Sequence, residues 1–232
     1  MTDSLLLTLK LALWTSAVLL AAGAPPAWVL ARRRFPGRRV VETILLLPLV
    51  LPPTVLGFYL LLLLGEGGPP ARWLGLHWAF RFEGILLGSV IFNLPFALVA
   101  YREAFRGLDE DILQTARTLG ASRARVLREI VLPLSWPGLV SGTLLAFAHT
   151  LGEFGVVLMI GGSLPGETRV MSIHLFEMTQ ALDMDRAHEA ALALLVLSFA
   201  LMYAIRVLEE RWRSGIASAS PSTSRSPSKS KG

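Results

Sequence analysis

Of the 232 residues, 53% are apolar and only 17% are charged, there is no cysteine, and the mean hydropathy is +0.56. A soluble domain carries about a quarter charged residues, so this composition excludes an ordinary water-soluble enzyme. The lack of cysteine excludes disulfide scaffolds, iron–sulfur clusters and thiolate zinc sites. A net charge of +5 suits nucleic acid or an anionic lipid surface, and the placement of the charges decides between them.

The apolar residues form five runs in chain order, which predict membrane helices at about 5–31, 43–64, 84–102, 137–161 and 188–208. A membrane helix needs about 20 mostly apolar residues. Soluble helices keep a polar face, but Leu45, Leu46, Leu47, Leu49, Leu51, Leu56 and Leu60–Leu64 cover every side of the second run. The first run opens on Met1-Thr2-Asp3-Ser4, without the cation of a signal peptide, and a basic cluster follows it. This pattern predicts a retained helix. The fold class expected is therefore an all-α integral membrane protein of about five transmembrane helices. Residues 1–213 are expected to form the membrane domain, and 214–232, rich in Ser, Pro and Lys, are expected to form a disordered cytoplasmic tail.

Five spans leave alternate connections on opposite sides. Residues 32–42, 101–136 and 206–232 hold 17 of the 22 Lys and Arg; the other set, which includes Lys10, holds the remaining five. The positive-inside rule places the first set in the cytoplasm, with the N-terminus outside and the C-terminus inside. The basic charge then marks topology and membrane lipid, and nucleic acid is not an expected partner.

The longest basic connection, 103–136, predicts two short amphipathic helices. Asp109 caps the first, Glu110 and Asp111 fall in its first turn, Ile112, Ala116 and Leu119 form a stripe, and Gly120 ends it. Ser122 caps the second, with a stripe of Val126, Leu127, Ile130, Val131 and Leu134, and Pro133 and Pro137 punctuate the approach to the fourth span.

The spacing Gln114-Thr115-Ala116, Gly120, Ile130, Leu132-Pro133 resembles the cytoplasmic signature of ABC importer permeases: Glu-Ala-Ala, three residues, Gly, nine residues, Ile, one residue, Leu-Pro. The chain departs from it at Gln114 and Thr115 and keeps every interval. Ala31-Arg-Arg-Arg-Phe-Pro-Gly37, Leu46-Leu-Pro-Leu-Val-Leu-Pro-Pro-Thr-Val-Leu-Gly57 and Leu151-Gly-Glu-Phe-Gly155 look like the molybdate branch of that family, with sulfate permeases as near relatives.

The resemblance implies a type I importer fold in the cell (inner) membrane. It implies a homodimer that carries molybdate or tungstate inward, a separate ABC ATPase dimer below and an extracytoplasmic molybdate-binding protein above. It further implies that Gln114, Ala116, Leu119, Gly120, Ala121, Ser122, Arg123, Arg125, Ile130, Leu132 and Pro133 couple the chain to the ATPase. Gly120 and Ala121 would allow close backbone approach, and Arg123 and Arg125 would meet acidic groups. Independently, the chain has no Gly-x-x-x-x-Gly-Lys-Ser/Thr loop to cradle ATP. No catalytic residue and no cofactor are expected in it.

Within the spans, Thr54, Asn93, Thr150 and Glu153 are the candidate pore or gate residues, because intramembrane polar groups face a bundle interior or a water path. For Glu153 an interhelical hydrogen bond competes with a gating role, since a fixed negative charge repels a divalent oxyanion. His149 and Glu153 lie four residues apart and are expected to pair; two ligands are too few for a metal site. Gly138, Gly142, Gly152 and Gly155 are expected to allow close helix packing. The alternatives are a sulfate or thiosulfate permease and, from another class, an ion-gradient-driven secondary transporter, which inverted repeats would mark. An intramembrane hydrolase would need a nucleophile–base pair.

Overall fold

The computed structural model describes residues 1–219, and among these it contains helices and no strand. In chain order the helices are α1 (Thr2–Arg32), α2 (Arg38–Leu49), α3 (Pro53–Leu64), α4 (Pro69–Leu74), α5 (Phe82–Arg106), α6 (Glu110–Thr118), α7 (Arg123–Leu151), α8 (Gly155–Gly161), α9 (Met171–Gln180) and α10 (Met184–Ala219). Four are long and apolar enough to cross a membrane, and the bent pair containing α2 and α3 makes a fifth if it is one span. Of the Ser/Pro/Lys-rich segment expected from 214, residues 214–219 continue α10 and 220–232 lie outside the described residues.

Two spans differ from the sequence expectation. The run at 43–64 is two helices, not one: the axis turns by 108° between Arg38–Leu49 and Pro53–Leu74. Pro48, Pro52 and Pro53 explain the elbow. None has an N–H to give to the preceding turn, and Pro52 is held extended at ψ 133°.

The run at 137–161 breaks at Gly152–Phe154 into α7 and α8, and α7 itself begins at Arg123. The second amphipathic helix of the loop is therefore the first turns of the span, with no stop before Pro133. Pro133 is accommodated because a wide π turn at Leu127–Val131 relaxes the backbone just ahead of it, whereas Pro137 lies inside regular helix and leaves the Pro133 carbonyl without its N–H partner. A second π turn, Leu19–Gly23, precedes Pro25-Pro26 in α1 and lets that helix continue to Arg32. The connection between the last two spans carries α9.

The core forms where α1, α5 and α7 cross. Leu19, Leu30, Leu98, Tyr101, Phe105, Val131 and Leu139 are buried together there, and Trp28 meets Phe105 edge to face at 5.2 Å. Thr143 Oγ1 donates to Leu139 O (2.7 Å), so the Tyr101 hydroxyl donates to Thr143 Oγ1 (2.7 Å). Glycine allows the close approach of α5 and α7: a Cβ on Gly142 would stand 2.7 Å from Ala100 Cβ, and one on Gly138 2.5 Å from Ala104 Cβ. Gly155 is equally tight against Pro53 of α3, at 2.8 Å. Gly152, the fourth glycine expected to pack closely, has only His149 O at 4.0 Å; it serves the chain break instead.

At the end of the bundle holding the N-terminus, Leu7, Leu11, Ile85, Val157, Val170 and Ile173 form a second buried cluster. There the buried Thr8 hydroxyl donates to Ser4 O (2.7 Å) and accepts from Met171 N (2.8 Å), tying α9 to α1. Only 6% of the apolar window of α10 is buried. Its Leu192, Leu195, Val196 and Phe199 are exposed, as suits a helix facing hydrocarbon.

Candidate functional site

The α5–α7 connection is built by local capping. Asp109 accepts from Asp111 N (2.9 Å) at the start of α6, and Glu110 and Asp111 occupy its first turn, where the helix dipole favours anions. The helix ends as Gly120 takes φ +83° and Ala121 N bonds back to Ala116 O (3.0 Å), a glycine stop of the Schellman kind. Ser122 Oγ then accepts from Arg125 N (3.3 Å) and opens α7.

The inward face of α6 is Leu113 and Ala116, not the expected stripe of Ile112, Ala116 and Leu119. Leu113 is buried and Ala116 packs on the core, whereas Ile112 is exposed and Leu119 is 83% exposed. Gln114, Ala116, Leu119, Gly120, Ala121, Ser122, Arg123 and Arg125 are gathered around this tip. Ile130, Leu132 and Pro133 lie further along α7, and Ile130 packs against the core.

The tip is fastened by a residue that sequence spacing did not single out. Arg32, at the end of α1 and only 15% exposed, donates through Nη1 to Glu110 (2.5 Å). Its Nη2 donates to Phe105 O (2.7 Å) and Leu108 O (2.6 Å). One planar guanidinium thus binds carbonyls at and just past the C-terminus of α5 and holds the N-terminus of α6. Glu42 of α2 pairs with Arg102 of α5 in the same region. The partners in these two links are 78 and 60 residues apart, so no local pattern announces them.

The polar residues of the spans meet where α7 breaks. Asn93 Nδ2 donates to Ser89 O (2.9 Å) and to Glu153 Oε2 (3.2 Å). With both donors committed, Asn93 Oδ1 is the acceptor for His149 Nδ1–H at 2.8 Å. His149 and Glu153 therefore do not pair directly, as their spacing suggested; Asn93 of α5 stands between them. The reason is the chain break: after Gly152 the helical i, i+4 geometry no longer applies.

Glu153 is 4% exposed, its Oε1 has no partner, and its carbonyl accepts from Ser172 Oγ (2.6 Å) of α9. A cavity of about 610 Å³ opens beside it, lined by Thr54, Phe92, His149, Gly152 and Glu153 among others. Of the four candidate pore residues, Thr54 and Glu153 line this cavity and Asn93 stands one hydrogen bond behind it. Thr150 is buried with its hydroxyl on its own helix, donating to Ala146 O (2.8 Å). No group of three or more potential metal ligands occurs among the described residues.

Comparison with known proteins agrees with this architecture. The family model described as "Binding-protein-dependent transport system inner membrane component" matches residues 20–214. The molybdenum transport system permease protein ModB of Azotobacter vinelandii is 40% identical, over 91% of this chain and 95% of that one. Its counterpart in Escherichia coli K12 is 37% identical over 93% and 94%. The sulfate transport system permease protein CysT of Escherichia coli K12 is 33% identical over 80% of this chain and 68% of its own length.

Among solved structures, a bacterial ABC transporter that imports the acidic polysaccharide alginate aligns over 90% of this chain and 79% of that one, at TM-score 0.75 and 18% identity. The MetNI methionine ABC transporter in an inward-facing form aligns over 90% and 94%, at TM-score 0.70 and 14% identity. At such identities these two speak for the fold alone. The multi-pass helical bundle, the projecting α6 tip and the family match over 20–214 together show that the chain belongs to the binding-protein-dependent transport system inner membrane components, the permease subunits of ABC importers.

Proposed function

We propose that the chain translocates molybdate, or tungstate, into the cytoplasm as one half of a homodimeric pore, driven by ATP hydrolysis on a separate ATPase dimer. The substrate reading is supported by near-full-length similarity to molybdenum permeases, against a shorter and weaker similarity to a sulfate permease. The coupling reading is carried by one observation: Leu119, an apolar side chain 83% exposed at the glycine stop of α6. A large apolar residue held out on a capped, anchored helix end is a docking knob for a hydrophobic groove. Arg123 and Arg125 flank it with positive charge. With the N-terminus outside, this tip faces the cytoplasm, where ATP is available, and an external binding protein delivers the oxyanion at the other end.

Within the membrane, the cavity beside Glu153 and Thr54 lies on the route. It offers few polar contacts, in keeping with a path that must release its solute. The transport cycle then consists of nucleotide-driven motion of the α6 tip that rocks the spans between outward and inward openings.

The test is ATPase activity of the permease reconstituted with its ATPase and binding protein. Stimulation by molybdate or tungstate but not sulfate, lost in Leu119→Asp, is the expected result. Stimulation by sulfate alone replaces the substrate, and failure to associate with any ATPase removes the assignment.

A further inference from the structure

A second cavity, of about 620 Å³, lies under the α6 tip where α1 ends and α7 begins. Its polar lining is cationic: Arg32 and Arg33 from the end of α1, Arg117 from α6 and Arg123 from α7, with Glu110 as the one acid. Glu110 is taken by Arg32. Among the described residues no carboxylate lies within ion-pair distance of Arg33, Arg117 or Arg123. Arg32 Nε is buried and has no hydrogen-bond partner. The three guanidiniums left without a counter-charge, Arg33, Arg117 and Arg123, put net positive charge around one cavity, which favours a bound counter-anion, and their forked donors match tetrahedral oxyanions.

The rest of the lining is apolar. Trp28, Leu113, Val126 and Val131 form it. A bare tetrahedral ion would fill the space of only a few waters, each about 30 Å³, and leaves most of this cavity empty. An oxyanion attached to an organic group uses both parts of the lining. The position fits as well, because the cavity opens where the apolar stretch of α1 gives way to Arg32 and Arg33, the depth at which hydrocarbon meets headgroups.

We propose that this cavity binds a phosphate-type oxyanion, carried by the headgroup of an anionic membrane phospholipid. The phosphodiester sits between Arg33 and Arg117, and the glycerol end lies against Trp28. Such a lipid fills the wedge between the end of α1 and the underside of α6 and steadies the tip from behind, on the side away from exposed Leu119. The site is independent of which oxyanion the permease transports.

The test uses the permease–ATPase complex and native mass spectrometry, with phosphatidylglycerol or phosphatidylcholine added in turn. Wild-type complex is expected to retain phosphatidylglycerol over phosphatidylcholine. The double substitution Arg33→Gln with Arg117→Gln is expected to weaken that retention roughly tenfold or more, given the usual contribution of each basic residue near a membrane surface. Arg33→Lys with Arg117→Lys keeps the charge and retains most of it. The matched substitution Arg34→Gln with Arg39→Gln removes the same amount of charge from the connection that holds Arg33, outside the cavity, and should change retention less than twofold.

A melting measurement on each variant confirms folding. Millimolar inorganic phosphate or molybdate is then added to the lipid-bound wild type. Displacement of the lipid assigns the site to free oxyanions as well as to headgroups, and its absence assigns it to the lipid alone. Equal loss in both Gln pairs would reduce the effect to diffuse surface charge and overturn the proposal. So would retention unchanged in the Arg33/Arg117 pair, or no preference for the anionic lipid.

Discussion

Asn93 of α5 donates one hydrogen bond to Glu153 at 3.2 Å and accepts another from His149 at 2.8 Å, so a single amide joins the two ends of the break between α7 and α8. Asn93 and Glu153 are buried inside the bundle, where a lost hydrogen-bond partner is not replaced by bulk water.

Replacing Asn93 by Leu strands both a carboxyl and an imidazole. A buried polar group left without its partner costs about 1–3 kcal/mol, and here two are affected. The Asn93→Leu protein should melt well below wild type in detergent, whereas Asn93→Gln, which keeps both functions on a longer arm, should recover part of the loss. A Leu variant as stable as wild type would show that the amide does not hold the break.

Arg32 is the corresponding fastening of the α6 tip. Its three hydrogen bonds at 2.5–2.7 Å need a planar fork, which lysine lacks. Arg32→Lys should leave the bundle folded but loosen α6. The readouts are faster proteolysis between residues 107 and 122 and a several-fold drop in substrate-stimulated ATPase, with basal ATPase little changed.

Gly120 and Gly142 separate two reasons for glycine. At Gly120 a Cβ would meet nothing within 4 Å, but φ is +83°. The cost of a side chain there is backbone strain, about 1–2 kcal/mol, and Asn should be tolerated better than Val. At Gly142 the conformation is ordinary helix, and the obstacle is Ala100 Cβ at 2.7 Å. Gly142→Val should therefore lower thermal stability by about 1–3 kcal/mol through overpacking, with no rescue by Asn. Melting curves of the four variants test the distinction.

Leu119→Asp carries the opposite expectation. The side chain is exposed and touches no core residue, so the melting temperature should stay at the wild-type value. Co-purification with the ATPase should be lost.

The spans were legible from the length of their apolar runs, and the caps at Asp109, Gly120 and Ser122 from local chemistry, because both depend on neighbours in sequence. The two interruptions were not. A uniformly apolar run such as 44–64 has no polar face, so its periodicity gives no sign of depth or direction. Pro52-Pro53 reads equally as a kink or as an elbow. Gly152-Glu153 likewise reads as helix, and Asn93, the partner its carboxyl finds after the break, is 60 residues away. Pairings such as Arg32 with Glu110 depend on how α1 and α5 end side by side, which one chain's spacing does not encode. The inward face of α6 was misassigned for a related reason: Leu113 and Ile112 are adjacent, and only the packed bundle decides which of them turns in.

Helix α7 is unbroken from Ser122 at the α6 tip to Gly152 beside Glu153. At about 1.5 Å per residue its 29 residues make a rod of roughly 43 Å. A rod transmits by tilting: about 5° at one end displaces the other by nearly 4 Å, more than the length of the Asn93–Glu153 hydrogen bond. A tilt of that size is enough to part Asn93 from Glu153, and the wide turn at Leu127–Val131 is the point where the rod can flex. Stiffening that turn, rather than altering either end, is the change that would make the two ends move strictly together.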